Sequence, residues 1–392
     1  MRAHGYFDAD HDAFRESFRT FCAREVVPRQ PGWDKAGLVD RDVWLAAGRQ
    51  GFLVPAADEA YGGLGVTDLR YEQVMVEELA AVHESGFGLG LHNGVVAPYL
   101  LHAATRSQKR RFLTRAITGE AVLAIAITEP EAGSDAAALR TRAVEDGDHW
   151  VLDGAKTFIS NGITADLVLV AARTEPDRRH GIGLFVVESG TPGFTRGRKL
   201  DKLGLRTQDT AELYFDGCRV PKENVLGHPG EGFVQLTRQF AQERLVVAMS
   251  AVASAEVALR DTIAYVRERQ AFGRPLSAFQ DTRFRLASLR TEVDVAQAYV
   301  DQCVLAANAG ALDAPSAAQA KLFATEMLGR VVDDCVQMHG GYGYMWEYPI
   351  CRAYADARVQ RIYAGTSEIM KDIISRAMLG QVSKGAADPS GE

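Results

Sequence analysis

The chain has 392 residues, of which 47% are hydrophobic and 24% charged, and these proportions are typical of a folded globular protein. Its formal charge of −7, with 44 Lys and Arg among 51 Asp and Glu, argues against a nucleic-acid partner. The five cysteines lie far apart, with no CxxC pair and no Cys/His cluster, so we expect no metal site and a reducing, cytoplasmic compartment. No apolar run reaches the roughly 20 residues of a membrane span, and the first residues lack the apolar stretch of a signal peptide.

The first part of the chain, residues 1–121, has the periodicity of an α-helical domain. Phe14, Phe18 and Phe21 recur at helical spacing after Asp10 and Asp12, which are candidates for the helix cap. Further helices are predicted over residues 42–50, 68–82 and 107–118.

The middle of the chain, residues 122–228, has the texture of a compact β domain. Short segments rich in β-branched and aromatic residues predict strands over residues 122–128, 150–160, 166–174, 182–189 and 211–220. Three Asp-Gly dipeptides, at residues 146–147, 153–154 and 216–217, are predicted to be tight turns.

The last part, residues 229–392, returns to helical periodicity. Four helices are predicted, over residues 233–268, 280–309, 314–339 and 366–379, and they are enough for an antiparallel four-helix bundle. Long bundle helices offer faces for self-association, although periodicity alone does not count subunits.

One carboxylate interrupts an apolar helical stripe. Leu236, Phe240, Glu243 and Val247 follow one another at helical spacing, so Glu243 shares a face with three hydrophobic residues. Burial raises the pKa of a carboxyl group, and a carboxylate in a dry pocket is a stronger base than one in water. The alternative is that Glu243 simply pairs with an Arg across the bundle, and the pattern leaves both interpretations open.

Two Gly-containing clusters are further candidates for a binding site. TEPEAGSD, residues 128–135, follows a predicted strand and could cradle an anionic or planar ligand, or be only a turn. QMHGGYGYMWEYP, residues 337–349, permits close approach of backbone to a ligand, or is only a helix end. The sequence has no GxGxxG turn after a strand, no GxSxG, no HExxH and no P-loop, which argues against Rossmann dinucleotide enzymes, hydrolases and kinases.

Taken together and in order, six segments strongly resemble the acyl-CoA dehydrogenase family, most closely its long-chain and isovaleryl-type branch. The likeness covers nearly the whole chain and implies a helical domain, a β-barrel and a four-helix bundle assembled as a homotetramer. The segments are AIAITEPEAGSD (124–135), FISNG (158–162), KLGLRTQDTAEL (202–213), ERQAFGRPL (268–276), QMHGGYGYMWEYP (337–349) and RIYAGTSEI (361–369).

The resemblance implies FAD as the cofactor, held non-covalently between barrel and bundle and across a subunit contact. Ile127, Thr128 and Ser134 match the segment beside the flavin ring, and Phe158 and Ser160 match its other side. The remaining cofactor positions lie toward the adenine, diphosphate and ribose, some of them reached from a neighbouring subunit: Arg269, Phe272, Gln280, Gln337, Gly341, Thr366 and Glu368.

One departure from the family pattern decides which residue is the expected base. Many members have Tyr-Glu-Gly-Thr where this chain has Tyr363-Ala364-Gly365-Thr366, and alanine cannot accept a proton. The long-chain and isovaleryl branches carry the base on a bundle helix in a Glu-Arg-Leu context, which here is Glu243-Arg244-Leu245. The resemblance and the interrupted stripe therefore both indicate Glu243 as the catalytic residue, with Ser134, Arg244, Ala364 and Gly365 as expected substrate contacts.

The expected function is FAD-dependent α,β-dehydrogenation of a fatty acyl thioester, giving a trans-2-enoyl thioester and passing electrons to an electron-transfer flavoprotein. Three alternatives stay open: a substrate held on an acyl-carrier protein, a flavin oxidase of the same fold, and an FAD- or acyl-binding protein without activity. Acyl chain length and branching are not fixed by the sequence.

Overall fold

The computed structural model describes residues 5–176 and 181–380, and these begin with a helical region. Helix α1 is capped by Asp8, whose carboxylate accepts hydrogen bonds from the backbone N–H groups of Asp10 and His11. Asp10 and Asp12, the predicted caps, instead occupy the first turn, where acidic side chains favour the positive end of a helix. The helices of this region are α1 (Ala9–Phe21), α2 (Gln30–Ala36), α3 (Arg41–Arg49), α4 (Leu69–Ala81), α5 (Ala97–Ala103), α6 (Arg106–Gln108) and α7 (Thr114–Thr118).

Aromatic side chains form the core of the helical region. Phe18 and Phe21 pack edge-on against Phe52, and Trp44 packs against Phe87 in the same cluster. Each fully buried side chain of this size contributes roughly 1.5–3 kcal/mol of stabilisation. The predicted phenylalanine face therefore fixes α1 to the rest of the region.

Three helical segments have π-helical geometry, over Cys22–Val26, Leu91–Val96 and Lys109–Leu113. The π geometry inserts an extra residue into a turn and is often found at functional sites. The segment Leu91–Val96 runs directly into α5, and it carries the chain toward the C-terminal helices.

The middle region is one curled seven-stranded sheet with strand order β1-β4-β2-β3-β7-β6, in which β5 also pairs with β4. Strands β1 and β4 are parallel, whereas β4–β5, β2–β3, β3–β7 and β6–β7 are antiparallel. The strands are β1 (Leu123–Ala126), β2 (Arg142–Asp146), β3 (His149–Ser160), β4 (Leu167–Arg173), β5 (Ile182–Glu188), β6 (Phe194–Lys199) and β7 (Thr210–Pro221).

Only one of the three predicted Asp-Gly turns is a turn. Asp146-Gly147 joins β2 to β3, as predicted. Residues 153–154 lie inside β3 at a shift in strand register, and residues 216–217 lie inside β7 opposite them. There the Asp153 carboxylate accepts a hydrogen bond of 2.8 Å from the Gly217 N–H, which stabilises a bulge in the pairing of β3 with β7.

The C-terminal region contains the four predicted bundle helices and one more. Helix α10 packs against α8, α9 and α12, and therefore lies at the centre of the bundle. A two-residue hairpin, β8 (Gln270–Ala271) with β9 (Arg274–Pro275), separates the first two helices. The helices are α8 (Gly232–Glu268), α9 (Gln280–Asn308), α10 (Ala314–His339), the unpredicted α11 (Pro349–Ala357) and α12 (Ser367–Leu379).

The N-terminal half of α8 is the junction of all three regions. It packs against β5, against α4 and α5, and against the π-helical segment Leu91–Val96. One apolar cluster is shared between the sheet and the helices, and it includes Leu236 together with Leu184 of β5 and Leu100 of α5. None of the helices in the described ranges is long and apolar enough to cross a membrane.

Candidate active site

Glu243 lies on α8 at the junction of the three regions. Leu236 is fully buried, Val247 is 8% exposed and Glu243 itself is also 8% exposed, so the predicted stripe is the inward face of the helix. Within residues 5–176 and 181–380, Glu243 forms no ion pair of the kind that the alternative interpretation required. A carboxyl group in this position is shielded from water and has no direct ion-pair partner in the described residues.

The hydrogen-bonding partner of Glu243 is Tyr99 of α5. The Tyr99 hydroxyl donates a hydrogen bond of 2.7 Å to Oε1 of Glu243, and both side chains are buried. Burial raises the pKa of Glu243 to about 7, while the Tyr99 hydrogen bond and the neighbouring Arg244 partly oppose that rise. The group can therefore exchange a proton near neutral pH, which is the property of an effective general base.

Two buried cations follow: Arg244, the next residue after Glu243 on α8, and Lys321 of α10, which lies close enough to Arg244 to interact with it electrostatically. The Arg244 guanidinium lies 5.5 Å from the centre of the Phe240 ring, and its Nε finds no hydrogen-bond acceptor in the described part of the chain. Burial, together with the nearby charge of Arg244, lowers the pKa of Lys321 to about 8. An unpaired buried guanidinium nitrogen is costly unless a ligand supplies an acceptor.

The turn over residues 363–365, which directly precedes α12, is bound to Lys321. The Lys321 ammonium on α10 donates hydrogen bonds to the carbonyls of Tyr363, at 2.7 Å, and of Gly365. Lys321 therefore binds the carbonyls on either side of Ala364, and its ammonium interacts electrostatically with Arg244, the sequence neighbour of Glu243. Thr366 follows as the cap of α12, its hydroxyl accepting from the Ile369 N–H, and Glu368 is exposed in the first turn.

A second group of predicted residues lies at the edge of the sheet. The loop after β1 is joined to β3 because the Thr157 N–H donates to the carbonyl of Thr128 at 2.9 Å. Phe158 is 68% exposed and has φ +59°, an unusual conformation for a residue with a side chain. Ile127 and Ser160 are half-buried in the same region, whereas Ser134 is exposed at the tip of the loop.

A buried ion pair fixes the position of the loop after β1. The Lys156 ammonium, fully buried, donates to Oε1 of Glu129 at 2.7 Å and to the carbonyl of Ile127 at 3.1 Å. The Glu129 carboxylate also accepts hydrogen bonds from the backbone N–H groups of Arg140 and Thr141. The backbone from Ile127 to Thr141 is therefore fixed at several points while its outer face remains accessible.

The third group lies at the other end of α8. The Arg269 guanidinium lies 5.6 Å from the ring centre of Tyr342, next to Gly341, and the Gln337 carbonyl accepts from the Gly340 N–H at the end of α10. Phe272 is 96% exposed with φ +52° beside Phe279, and Gln280 opens α9. Across the described ranges no hydrogen bond or ion pair joins this group to Glu243.

These surfaces fit FAD on chemical grounds. Exposed aromatic rings and an open backbone loop suit a planar ring system, and the Arg269 cation and the positive end of α12 suit a diphosphate. The positive φ of both Phe158 and Phe272 is a strain of the kind that accompanies binding sites.

Sequence reasoning missed the roles of four residues that shape the site: Tyr99, Lys321, and the ion-paired Lys156 and Glu129. Tyr99 lies 144 residues from Glu243, in a segment with no predicted helix, so no local pattern connects them. Lys321 interrupts an alanine-rich face of α10 in the same way that Glu243 interrupts its stripe. That charged residue within an apolar face was the feature of the sequence that could have identified Lys321.

Comparison with known proteins identifies the family. Sequence profiles of acyl-CoA dehydrogenases match residues 8–120 for the N-terminal domain, 124–218 for the middle domain and 230–379 for the C-terminal domain. The mitochondrial long-chain specific acyl-CoA dehydrogenase of Sus scrofa is 45% identical over 376 residues, which is 95% of this chain and 87% of that protein.

Two solved structures extend the comparison. An acyl-CoA dehydrogenase from Geobacillus kaustophilus matches with a TM-score of 0.94 at 47% identity, over 96% of this chain and 100% of that one. A glutaryl-CoA dehydrogenase from Mycobacterium smegmatis, in complex with FADH2, matches with a TM-score of 0.89 at 28% identity, over 97% of each chain. The chain belongs to the acyl-CoA dehydrogenase family, and it is an FAD-dependent oxidoreductase of that family.

Proposed function

We propose that the protein converts a fatty acyl-CoA into the trans-2-enoyl-CoA, with Glu243 as the base that removes the α-proton. The observation that carries this proposal is the buried Glu243 carboxyl, which has no ion-pair partner in the described residues and whose pKa burial raises to about 7. Position 364 has no carboxyl group to serve instead. A strong base in a dry pocket is what abstraction of a weakly acidic C–H proton requires.

The backbone around Ala364 is suited to hold the thioester carbonyl. The Ala364 N–H has no acceptor within the described residues, and it precedes the positive end of α12. A donor aimed at the carbonyl oxygen stabilises the negative charge that develops there as the α-proton leaves. Arg244, with its unpaired Nε, interacts electrostatically with Lys321 and would add positive charge near the same turn.

The cofactor positions are proposed as the sequence predicted them. Ile127, Thr128, Ser134, Phe158 and Ser160 would hold the flavin ring, and FAD, when bound, supplies the acceptor for the β-hydrogen and its two electrons. Thr366 and Glu368, and the group comprising Arg269, Phe272, Gln280, Gln337 and Gly341, would hold the remainder of the molecule.

The decisive experiment is anaerobic mixing of the FAD-loaded protein with straight and branched acyl-CoAs of several lengths. Loss of the oxidised-flavin absorbance is expected, with the rate ranking the substrates. The relative from Sus scrofa makes long straight chains the first to test. A stably bound flavin that no acyl-CoA reduces would contradict the proposal and favour an acyl-carrier-protein substrate or a non-catalytic role.

Glu243→Gln tests the base directly. The amide keeps the shape of the side chain but not its basicity, so flavin reduction should fall by at least about 10³-fold while FAD and acyl-CoA still bind. Glu72→Gln is a matched control, because Glu72 is also a fully buried carboxyl with a raised pKa but does not hydrogen-bond with Tyr99. That control should reduce its flavin at the wild-type rate, and normal reduction in Glu243→Gln would refute the assignment.

We further propose that the electrons pass to an electron-transfer flavoprotein and not to oxygen. The readout is the rate at which substrate-reduced protein is reoxidised by each acceptor. Rapid reoxidation in air would identify a flavin oxidase instead.

We also propose a homotetramer, a cytoplasmic location and the three predicted domains, residues 1–121, 122–228 and 229–392. Large apolar side chains are exposed in the C-terminal region, including Phe272 at 96%, Tyr344 at 80% and Met378 at 76%. All five cysteines are free, which is usual in a reducing compartment. Light scattering of the holoenzyme measures the oligomer, and cell fractionation tests the location.

A further inference from the structure

Lys321 is a buried cation whose role is not explained by stability. Its side chain is 1% exposed, and within the described ranges it forms no ion pair. Its ammonium group is directed to two main-chain carbonyls, those of Tyr363 and Gly365, on either side of Ala364. Desolvating an ammonium group without a carboxylate partner is unfavourable, so a methionine or leucine would serve better as a simple core residue.

The turn that Lys321 holds is conformationally strained. Ala364 has φ +50° and Gly365 has φ +92°, so two consecutive residues adopt the left-handed region. An alanine in that region costs of order 1 kcal/mol and persists only when its surroundings impose it. The two hydrogen bonds from Lys321 are contacts that impose it.

The geometry of a peptide group determines what the first of these bonds does. The carbonyl of Tyr363 and the N–H of Ala364 belong to the same peptide, and in a trans peptide they point in opposite directions. Because the carbonyl is directed at Lys321, the Ala364 N–H is directed away from it. Within the described chain that N–H has no acceptor, and Ala364 is exposed.

We propose that Lys321 is a positioning residue that orients the Ala364 N–H toward the thioester carbonyl of the substrate, an inference that rests on the proposed function. Lys321 does not touch the substrate. It fixes the direction of the peptide that does, and without it the strained turn relaxes and the donor is misaligned. The substrate feature recognised in this way is the acyl C=O and not the chain or the coenzyme.

The test compares binding of a thioester with binding of a thioether. Glu243→Gln holoenzyme, which cannot turn over, is titrated with a saturated acyl-CoA and with the S-alkyl-CoA of equal length, in which CH2 replaces the carbonyl. Adding Lys321→Met should weaken thioester binding about tenfold, the value of one hydrogen bond. Thioether binding should change by less than about twofold, since that ligand has no acceptor for the N–H. Equal effects on both ligands, or no effect on either, would overturn the proposal.

Two further variants control for folding. Thr325→Val alters α10 one turn beyond Lys321, where the Thr325 hydroxyl donates to the Lys321 carbonyl at 2.9 Å, and it should leave the preference for the thioester unchanged. If Lys321→Met does not yield flavin-loaded protein, Lys321→Gln retains one donor and should lose part of the preference. An unaltered preference in Lys321→Gln would equally overturn the proposal.

The outcome also separates this inference from the proposed function. Flavin reduction of the wild-type protein by acyl-CoA tests the function by itself. If that reduction occurs but the thioester preference does not depend on Lys321, only the positioning role fails. With Glu243 intact, Lys321→Met should slow flavin reduction by about 100-fold, the usual effect of losing an oriented oxyanion donor.

Discussion

The hydrogen bond from Tyr99 controls the basicity of Glu243. It favours the charged carboxylate and therefore limits the rise caused by burial, which leaves the pKa at about 7. Tyr99→Phe removes the donor and keeps the ring, so the pKa of Glu243 should rise further. Since the active form is the deprotonated one, the rate of flavin reduction should fall off at a higher pH than in the wild type. Anaerobic rapid mixing over a series of pH values on both sides of pH 7 measures the shift.

A second tyrosine provides the control for this prediction. Tyr265 donates a hydrogen bond of 3.2 Å to the His339 carbonyl at the far end of α8, so Tyr265→Phe loses a comparable bond away from the base. In Tyr265→Phe, the rate of flavin reduction should fall at the same pH as in the wild type when the pH is lowered. If the pH at which flavin reduction slows is unchanged or lower in Tyr99→Phe, the hydroxyl does not stabilise the carboxylate.

Single residues differed in how far the sequence could predict them. Glu243 could be identified because a charged residue in an apolar helical stripe is visible within one turn of sequence. Its partner could not, because Tyr99 lies on a helix whose sequence, with its π-helical entry, has no clean periodicity. The partnership depends on how three regions pack together, and the packing is a property of the tertiary structure.

Among the elements, the buried strands were predicted and the polar ones were not. Strands β4 and β5 are almost wholly buried and read as continuous apolar runs, whereas β2 (RAVED) and β6 (FTRGRK) are largely exposed and carry charges. The Asp-Gly pairs inside β3 and β7 were taken for turns because bulges and turns favour the same residues. The conformational preference of Asp-Gly therefore indicated an irregular backbone at these positions correctly, but it did not show that the strand continues through them.

The Lys156–Glu129 pair connects strand β3 to the loop after β1 and should be necessary for both stability and FAD binding. Lys156→Met leaves the Glu129 carboxyl, 6% exposed, without its counter-ion. Breaking one side of a buried pair costs roughly 3–5 kcal/mol, and the loop should release its flavin more readily. Urea unfolding at fixed FAD concentration measures the first effect and fluorescence of released flavin the second.

The double variant Lys156→Met with Glu129→Gln separates loss of charge from loss of packing. It removes the uncompensated charge, and the single amide oxygen still accepts from one of the two backbone N–H groups that the carboxylate binds, those of Arg140 and Thr141. The double variant should therefore regain a large part of the free energy of unfolding that Lys156→Met loses. A double variant that is less stable than Lys156→Met alone would indicate that the pair is not the source of the effect.

At the scale of the whole molecule, Asp356 of α11 links the three regions. Its carboxylate accepts hydrogen bonds from the Ser85 hydroxyl of the N-terminal region and from the Leu205 N–H of the middle region. A Cβ at Gly204 would lie 2.4 Å from the Ala355 backbone, so the close approach there requires glycine. The family resemblance predicted the three parts, but such contacts between them were not visible in the sequence.

The stability of the whole protein should decrease with rising pH because of Glu72. This carboxyl on α4 is fully buried, its Oε1 has no partner within the described residues, and burial raises its pKa from 4.5 to about 8. Between these values the folded state keeps a proton that the unfolded state releases. The free energy of unfolding should therefore fall by about 1.4 kcal/mol per pH unit across that window from this group.

Glu72→Gln removes the titrating group and should remove its part of the slope. The variant should match the wild type near pH 4.5 and exceed it in stability by a margin that grows until about pH 8 and then stays constant. Glu243→Gln should behave in the same way but level off near pH 7, because the pKa of Glu243 is raised less. Urea unfolding at a series of pH values distinguishes the two end points. If Glu72→Gln and the wild type instead differ in free energy of unfolding by the same amount at every pH, Glu72 is ionised in the folded protein. Groups that do not hydrogen-bond with it would then compensate for its burial.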